Sequence, residues 1–488
     1  MYFQQFYLGC LAHASYMLGS EGVAAVVDPQ RDVEIYIEEA ARQGLKIAHV
    51  IETHLHADFV SGHRELAART GATIHVGARA AAKFPHHAVR EGDEIQFGRC
   101  ALRFLETPGH TIEGVCVLVS DLDRSREPWA VLTGDTLFIG DVGRPDLSPD
   151  HTPQQLAGML YDSLHEKLLR LPVAVEVYPA HGAGSLCGRN IGTERSSTIG
   201  RERARNYALQ KMSREEFVSL LTSDLPVRPG YFALDAEINR AGAPALNDLP
   251  PLRALAPEEV ERLTADRASG AIVLDTRPAA QFGAAHIPSS VHIALGGQYA
   301  TWAATLLGLA RPIVLVAEDP QQLDEARMRL ARVGIENVAG YLDGGVEAWQ
   351  RAGRALAEVP QISVVDLAQQ LKEAPESVQV LDVRNAMEWQ GGRIEGARHA
   401  ALDQLALTPA EGAESRLAKL VARLDPAVPV AVHCKSGYRS SIASSLLARA
   451  GARGVLNVVG GFDAWVAQKL PVADAPETTP ACAAETRA

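Results

Sequence analysis

Glu52-Thr-His54-Leu-His56-Ala-Asp58-Phe59-Val-Ser-Gly62 stands between an apolar strand-like run, 47–52, and a helical pattern. His54 and His56 alternate with apolar residues, so two imidazoles and Asp58 can converge from one short loop. Three later segments repeat the device: Thr107-Pro-Gly-His110-Thr111, Thr133-Gly-Asp135-Thr-Leu-Phe138 and Tyr178-Pro-Ala-His181-Gly182. In each, a His or Asp follows an apolar strand and sits beside Gly or Pro. A strand end is a rigid base from which to aim a ligand, and Gly lets backbone come close to a metal. Four such segments together predict a metal centre. Twelve of the sixteen histidines lie in the first 181 residues. Of these, His13, His49, His75, His86, His87, His151 and His165 lack such a setting and read as ordinary core or surface residues.

Around these segments, short β-rich runs alternate with helical patterns. Strands are expected at 23–27, 47–52, 73–76, 102–105, 115–119, 129–133 and 173–178, and helices at 32–43 and 154–169. Residues 239–257 carry four prolines among Ala, Leu and Gly and read as a linker. Beyond it the chain repeats itself. Ala271-Ile-Val-Leu-Asp-Thr-Arg277 resembles Val378-Gln-Val-Leu-Asp-Val-Arg384, and Leu342-Asp-Gly-Gly-Val-Glu-Ala-Trp349 resembles Val458-Val-Gly-Gly-Phe-Asp-Ala-Trp465. The offset is 107 at the Asp and 116 at the Trp, a net insertion of nine residues. Each copy alternates strand and helix, which predicts two α/β domains with parallel sheets. The expected division is 1–238 for a metal-binding domain, 239–257 for the linker, 258–358 and 359–473 for the repeats, and 474–488 for a disordered tail.

Composition excludes several classes. Lys plus Arg is 47 against 59 Asp plus Glu, a formal charge of −12, which argues against nucleic-acid or anionic-membrane partners. No apolar stretch is long enough to span a membrane, and the N-terminus has no basic lead into an apolar run. Six scattered cysteines without CxxC pairs read as cytosolic thiols, and a cytoplasmic homo-oligomer is expected.

The histidine and aspartate segments resemble the metallo-β-lactamase superfamily, with its H-x-H-x-D-H signature and later His, Asp and His. The resemblance covers about residues 1–235 and implies an αββα sandwich. Phe59 stands where the pattern's last His, which helps hold a second metal, should be. Phe cannot ligate, so one metal held by two His and a carboxylate is expected. That donor set suits Fe(II) and oxygen chemistry without excluding zinc or manganese. Gly140-Asp-Val-Gly-Arg144-Pro-Asp146 and His181-Gly-Ala-Gly-Ser-Leu-Cys187-Gly188 look like the persulfide dioxygenases of this superfamily. The resemblance implies iron ligands at His54, His110 and Asp135, one Fe(II) per chain. His56, Asp58 and His181 would orient ligands or waters. Arg144 is a candidate for holding a substrate anion, or else braces its loop; Cys187 is a candidate sulfur-relay thiol, or else merely packs nearby.

In the last repeat, Val428-Pro-Val-Ala-Val-His433 reads as a buried strand, followed by Cys434-Lys435-Ser436-Gly437-Tyr438-Arg439 and a helical segment. A Cys between a strand end and a helix N-terminus meets backbone N–H groups and the positive end of the dipole. Lys435 and Arg439 add charge, and all of this favours a thiolate or persulfide anion. The loop resembles that of the rhodanese family, whose six-residue form transfers sulfur, so Ser436, Gly437 and Tyr438 are expected to cradle the sulfur species. Phosphatase relatives of the same fold use a longer loop. The middle repeat has Ala317-Glu318-Asp319-Pro320-Gln321-Gln322 at this place; it lacks a nucleophile and its acids repel anions. The resemblances together imply a persulfide dioxygenase–sulfurtransferase fusion. Its partners would be a small persulfide (of glutathione, coenzyme A or a similar thiol), O2, and thiosulfate or sulfite. A zinc thioester hydrolase with a rhodanese attached, and a non-enzymatic sulfur carrier, are the alternatives.

Overall fold

The computed structural model describes residues 1–473, apart from 224, 267 and 408–414. The expected tail and Cys482 lie outside the described residues. The chain divides into two compact units. The first holds 1–251 together with 297–305 and 327–336; the second holds 252–296, 306–326 and the remainder from 337.

The first unit is built on two six-stranded sheets. One runs in the order Tyr2–Leu8, His13–Ser20, Val23–Val27, Lys46–Glu52, Thr73–Gly77, His87–Val89. The other runs Ser197–Thr198, Glu176–Pro179, Ala130–Gly134, Val115–Asp121, Cys100–Glu106, Glu94–Phe97. Side chains of a strand alternate between faces, and Val115–Asp121 shows what this does. Val115, Val117 and Val119 enter the core between the sheets beside Tyr16, Leu18 and Val27. Cys116 and Leu118 face the other way, onto helices Pro153–Glu166 and Arg214–Thr222 through Leu160, Leu164 and Phe217. The first sheet's outer face is covered likewise by Tyr36, Ala40 and Leu66 of helices Glu34–Arg42 and His63–Thr70. The result is the expected αββα sandwich. The first two strands are additional to those read from the sequence.

The second unit has two five-stranded sheets, all of whose pairings are parallel. The expected linker is largely structured. Asn239 is buried on helix Phe232–Ala241 and donates to the carbonyls of His56 and Phe59. Ala254–Leu255 is an edge strand paired with Val338–Leu342. Its prolines flank this two-residue strand instead of excluding it.

Candidate active site

Strands Lys46–Glu52, Cys100–Glu106, Ala130–Gly134 and Glu176–Pro179 lead into the loops or turns bearing His54, His110, Asp135 and His181. The structure brings His54, His110 and Asp135 together, with one ligand atom of each within 4.8 Å of the others. Their second atoms fix how they point. Thr53 Oγ1 donates to Asp28 Oδ2 at 2.9 Å, so at 3.0 Å it accepts from His54 Nδ1. His110 Nδ1 donates to the Arg144 carbonyl at 2.9 Å. Both Nε2 atoms therefore carry lone pairs, and they lie 3.7 Å and 3.3 Å from Asp135 Oδ2. All three converging atoms are buried without a hydrogen-bond partner, a costly arrangement unless a cation joins them. Burial holds both imidazoles below their ordinary pKa and so neutral. Burial alone would raise Asp135, but His181, His54 and His110 drive it well below the carboxylate range. Neutral His and ionised Asp are the forms that ligate. Gly143 makes room: a Cβ there would lie 2.1 Å from the Asp135 carbonyl and 2.7 Å from His110 Nδ1.

The residues expected around these ligands divide into two groups. His181 bridges two carboxylates, Nδ1 to Asp135 Oδ1 at 2.8 Å and Nε2 to Asp58 Oδ2 at 2.9 Å. Burial disfavours its charge, yet the two carboxylates raise its pKa well above the ordinary value. Cys187 joins Asp58 and His181 in a second trio with potential ligand atoms within 4.8 Å. His56 turns away, with Nε2 3.2 Å from Asp28 and 3.5 Å from Glu52.

In the last repeat, buried strand Val430–His433 delivers Cys434 to the start of helix Tyr438–Arg449. Gly437 is the helix's N-cap at φ +105°, a conformation that costs other residues strain, and its N–H donates to Cys434 Sγ at 3.1 Å. Lys435 and Ser436 are exposed at the mouth. Tyr438 Oη donates to the Ala294 carbonyl at 2.9 Å. Arg439, expected as a cation for the sulfur anion, forms a bidentate pair with Glu388, both bonds 2.7 Å.

The metallo-beta-lactamase superfamily model matches residues 8–181, and the rhodanese-like domain model matches 256–352 and 364–468. Mitochondrial persulfide dioxygenase ETHE1 of Bos taurus is 33% identical over 214 residues, 42% of this chain and 75% of that protein. Hydroxyacylglutathione hydrolase of Methylobacillus flagellatus is 30% identical over 226 residues, 46% of this chain and 80% of that protein. A solved metallo-beta-lactamase from Staphylococcus aureus subsp. aureus COL is 31% identical with TM-score 0.63, covering 70% of this chain and 98% of that one. This chain belongs to the metallo-beta-lactamase superfamily. Two rhodanese-like domains follow its superfamily domain. The relatives, the domains and the convergent ligand atoms mark an enzyme with a metal-binding site. Among the described residues, no helix is long and apolar enough to cross a membrane.

In this superfamily domain, the buried Phe59 ring packs 4.2 Å from the His13 ring and 4.3 Å from that of His56. His13, read from sequence as an ordinary core or surface residue, is buried and packs beside His56 and His181. Its ring lies 5.5 Å from that of His181, and both of its nitrogens are buried without a partner. Its local text, Leu11-Ala12-His13-Ala14, gave no sign of this; it arrives through a β-bridge to His181. Arg144 is fully engaged within the protein, on Asp146 at 2.7 and 2.8 Å and on the Leu186 and Pro226 carbonyls. Cys187 is buried, and burial with the nearby Asp58 and Asp135 charges pushes its thiol pKa well up, away from thiolate reactivity.

Proposed function

We propose that this chain is a non-haem iron persulfide dioxygenase coupled to a rhodanese sulfurtransferase. The observation that carries the reading is the buried, unpartnered three-atom set His54 Nε2, His110 Nε2 and Asp135 Oδ2, with Phe59 at the sequence position where a second metal's His would stand. Two His and one carboxylate leave positions open, and Fe(II) held there would supply the redox chemistry that joins O2 to sulfur. One persulfide, one O2 and one water give the free thiol, sulfite and two protons. Around that event the chain's own groups have separate tasks. Thr53 and the Arg144 carbonyl fix the imidazole tautomers. His181 holds its protons between Asp135 and Asp58, and Phe59 and His13 close the flank against water.

Cys434 carries sulfane sulfur against the Gly437 amide. Transfer of that sulfur to sulfite releases the Cys434 thiolate and gives thiosulfate; the reverse direction loads Cys434 from thiosulfate. The substrate class is a small-thiol persulfide, such as that of glutathione or coenzyme A.

A hydrolase reading has one observation in its favour, the second trio Asp58, His181 and Cys187, which would complete a two-metal thioester-cleaving centre. Metal analysis and oxygen electrode measurements with glutathione persulfide separate the two. One iron per chain and oxygen consumption are expected. His110→Ala or Asp135→Ala should lose the metal and all uptake, with thiosulfate:cyanide transfer retained. Two zincs per chain, with thioester hydrolysis and no uptake, would overturn the dioxygenase reading; a zinc lost on Cys187→Ser would locate the second one.

A further inference from the structure

The middle repeat has no sulfur nucleophile, yet it lies along one stripe of the helix that presents Cys434. Tyr438, Ser441, Ser445 and Arg449 are spaced three, four and four residues apart on Tyr438–Arg449, which places them on one face. Each meets the segment 289–294. Arg449 donates to the Ser289 carbonyl. Ser445 Oγ accepts the His292 backbone N–H at 3.0 Å and donates to Ile442 O. Ser441 Oγ meets His292 Nδ1 at 2.8 Å, and Tyr438 Oη donates to Ala294 O.

His292 is the centre of this contact. Its Nε2 lies 2.8 Å from the Arg277 carbonyl, which only accepts, so Nε2 carries the hydrogen and Nδ1 the lone pair. The Ser441 hydroxyl is therefore the donor, and the imidazole is neutral, in keeping with burial lowering its pKa. His292, Ser441 and Ser445 are all buried, so these bonds have no water to replace them. His399, at the repeat offset of 107, makes the same bond from Nε2 to the Arg384 carbonyl at 2.7 Å. The repeat architecture thus fixes the ring, and in the middle copy the free lone pair is turned onto the neighbouring helix.

We infer that the nucleophile-free repeat positions the sulfur-carrying loop, with His292 as the positioning residue acting through Ser441 on helix Tyr438–Arg449. The inference rests on the reading of Cys434 as the sulfur carrier. The Gly437 amide that contacts Cys434 Sγ caps this helix, so rotation of the helix displaces the cradle.

The test uses the full chain and three variants, His292→Ala, His292→Asn and Ser441→Ala. The readouts are kcat and KM for thiosulfate:cyanide transfer, the rate of Cys434 alkylation by iodoacetamide at fixed pH, followed by peptide mass spectrometry, and oxygen uptake with glutathione persulfide. His292→Ala should lower kcat and the alkylation rate about three- to tenfold, the effect of one buried hydrogen bond on a rate. KM and oxygen uptake should stay near wild type. His292→Asn, whose Oδ1 takes the place of Nδ1, should restore most of the loss. Ser441→Ala, the milder change, should match His292→Ala, and the double variant should add nothing. Unchanged alkylation and kcat in both single variants, or an equal loss of oxygen uptake, would overturn the inference. A wild-type chain alkylated at Cys434 but unable to transfer sulfur would instead overturn the sulfurtransferase reading, and the alkylation rates would still decide this one.

Discussion

The two rhodanese-like domains share their framework and differ in the loop that carries chemistry. Asp275 chelates Arg277, whose guanidinium reaches the Ala285 carbonyl; Asp382 chelates Arg384, which reaches Gly392. Trp349 Nε1 donates to Ala355 and Trp465 Nε1 to Pro471, at matching offsets. Even the closing bridge is kept, His286 with Ala357 and Arg393 with Ala473. At the loop, Cys434 becomes Ala317. The Glu388–Arg439 pair becomes Gln281 and Gln322, both bonded to the Glu318 carboxylate. A fold can keep its buried ion pair and Trp anchor while its active loop is rewritten, because the two sets share no atoms.

The sharpest way to break the comparison is to exchange the nucleophile. Cys434→Ser should abolish thiosulfate:cyanide transfer, since a hydroxyl does not take up sulfane sulfur at neutral pH. Adding Ala317→Cys in that background should not restore it. The rebuilt thiol would sit beside Glu318 and Asp319, whose charges oppose both thiolate and thiosulfate. Sulfur transfer by the double variant would show that the loop's charge is irrelevant and the nucleophile alone decides. Residual transfer in Cys434→Ser itself would point to another cysteine, Cys187 first.

Next in size is the framework that both copies keep. Asp382→Ala and Asp275→Ala each strand a buried guanidinium, a loss of about 3–5 kcal/mol when one partner of a buried pair is removed. Both should lower the denaturant midpoint of the second unit by similar amounts. A large effect in one copy and none in the other would mean that the shared contacts are not the shared framework.

What the sequence disclosed follows the same division. His110, Asp135 and Cys434 were legible because each follows a strand beside Gly or a helix start, and His54 because it alternates with His56 just after a strand, all local patterns. The repeats, and the loop of the middle copy that lacks a cysteine, were legible by alignment of the chain with itself. The place of His13 beside His56 and His181 was not, because it depends on an isolated bridge to His181 far along the chain. Nor were the partners of Arg144, one of which, Pro226, is 82 residues away, or the ion pair that occupies Arg439. Neighbours in space set these contacts. The edge strand Ala254–Leu255 was hidden because two residues carry no periodicity.

The smallest expected effect concerns that ion pair, the one charged contact of the active loop that the middle repeat lacks. Burial works against ionisation of Glu388, but hydrogen bonding and charge from Arg439 outweigh it, and the carboxyl sits below its ordinary pKa. A carboxyl with a depressed folded-state pKa stabilises the fold above its unfolded pKa, and that stability is lost as pH falls through the folded value. Glu388→Gln reproduces the Gln281 of the middle repeat and removes this contribution. The pair is part-exposed, so roughly 0.5–1 kcal/mol is expected at neutral pH. Thermal midpoints of variant and wild type should differ by about 1–3 °C between pH 6 and 8, and the gap should close as the pH falls below about 4. A gap that persists unchanged into acid would show that Glu388 acts through packing of its side chain and not through its charge. In that case the Gln281 arrangement would be an equivalent of the ion pair, and the difference between the two loops would rest on the nucleophile and on Lys435 against Glu318 and Asp319.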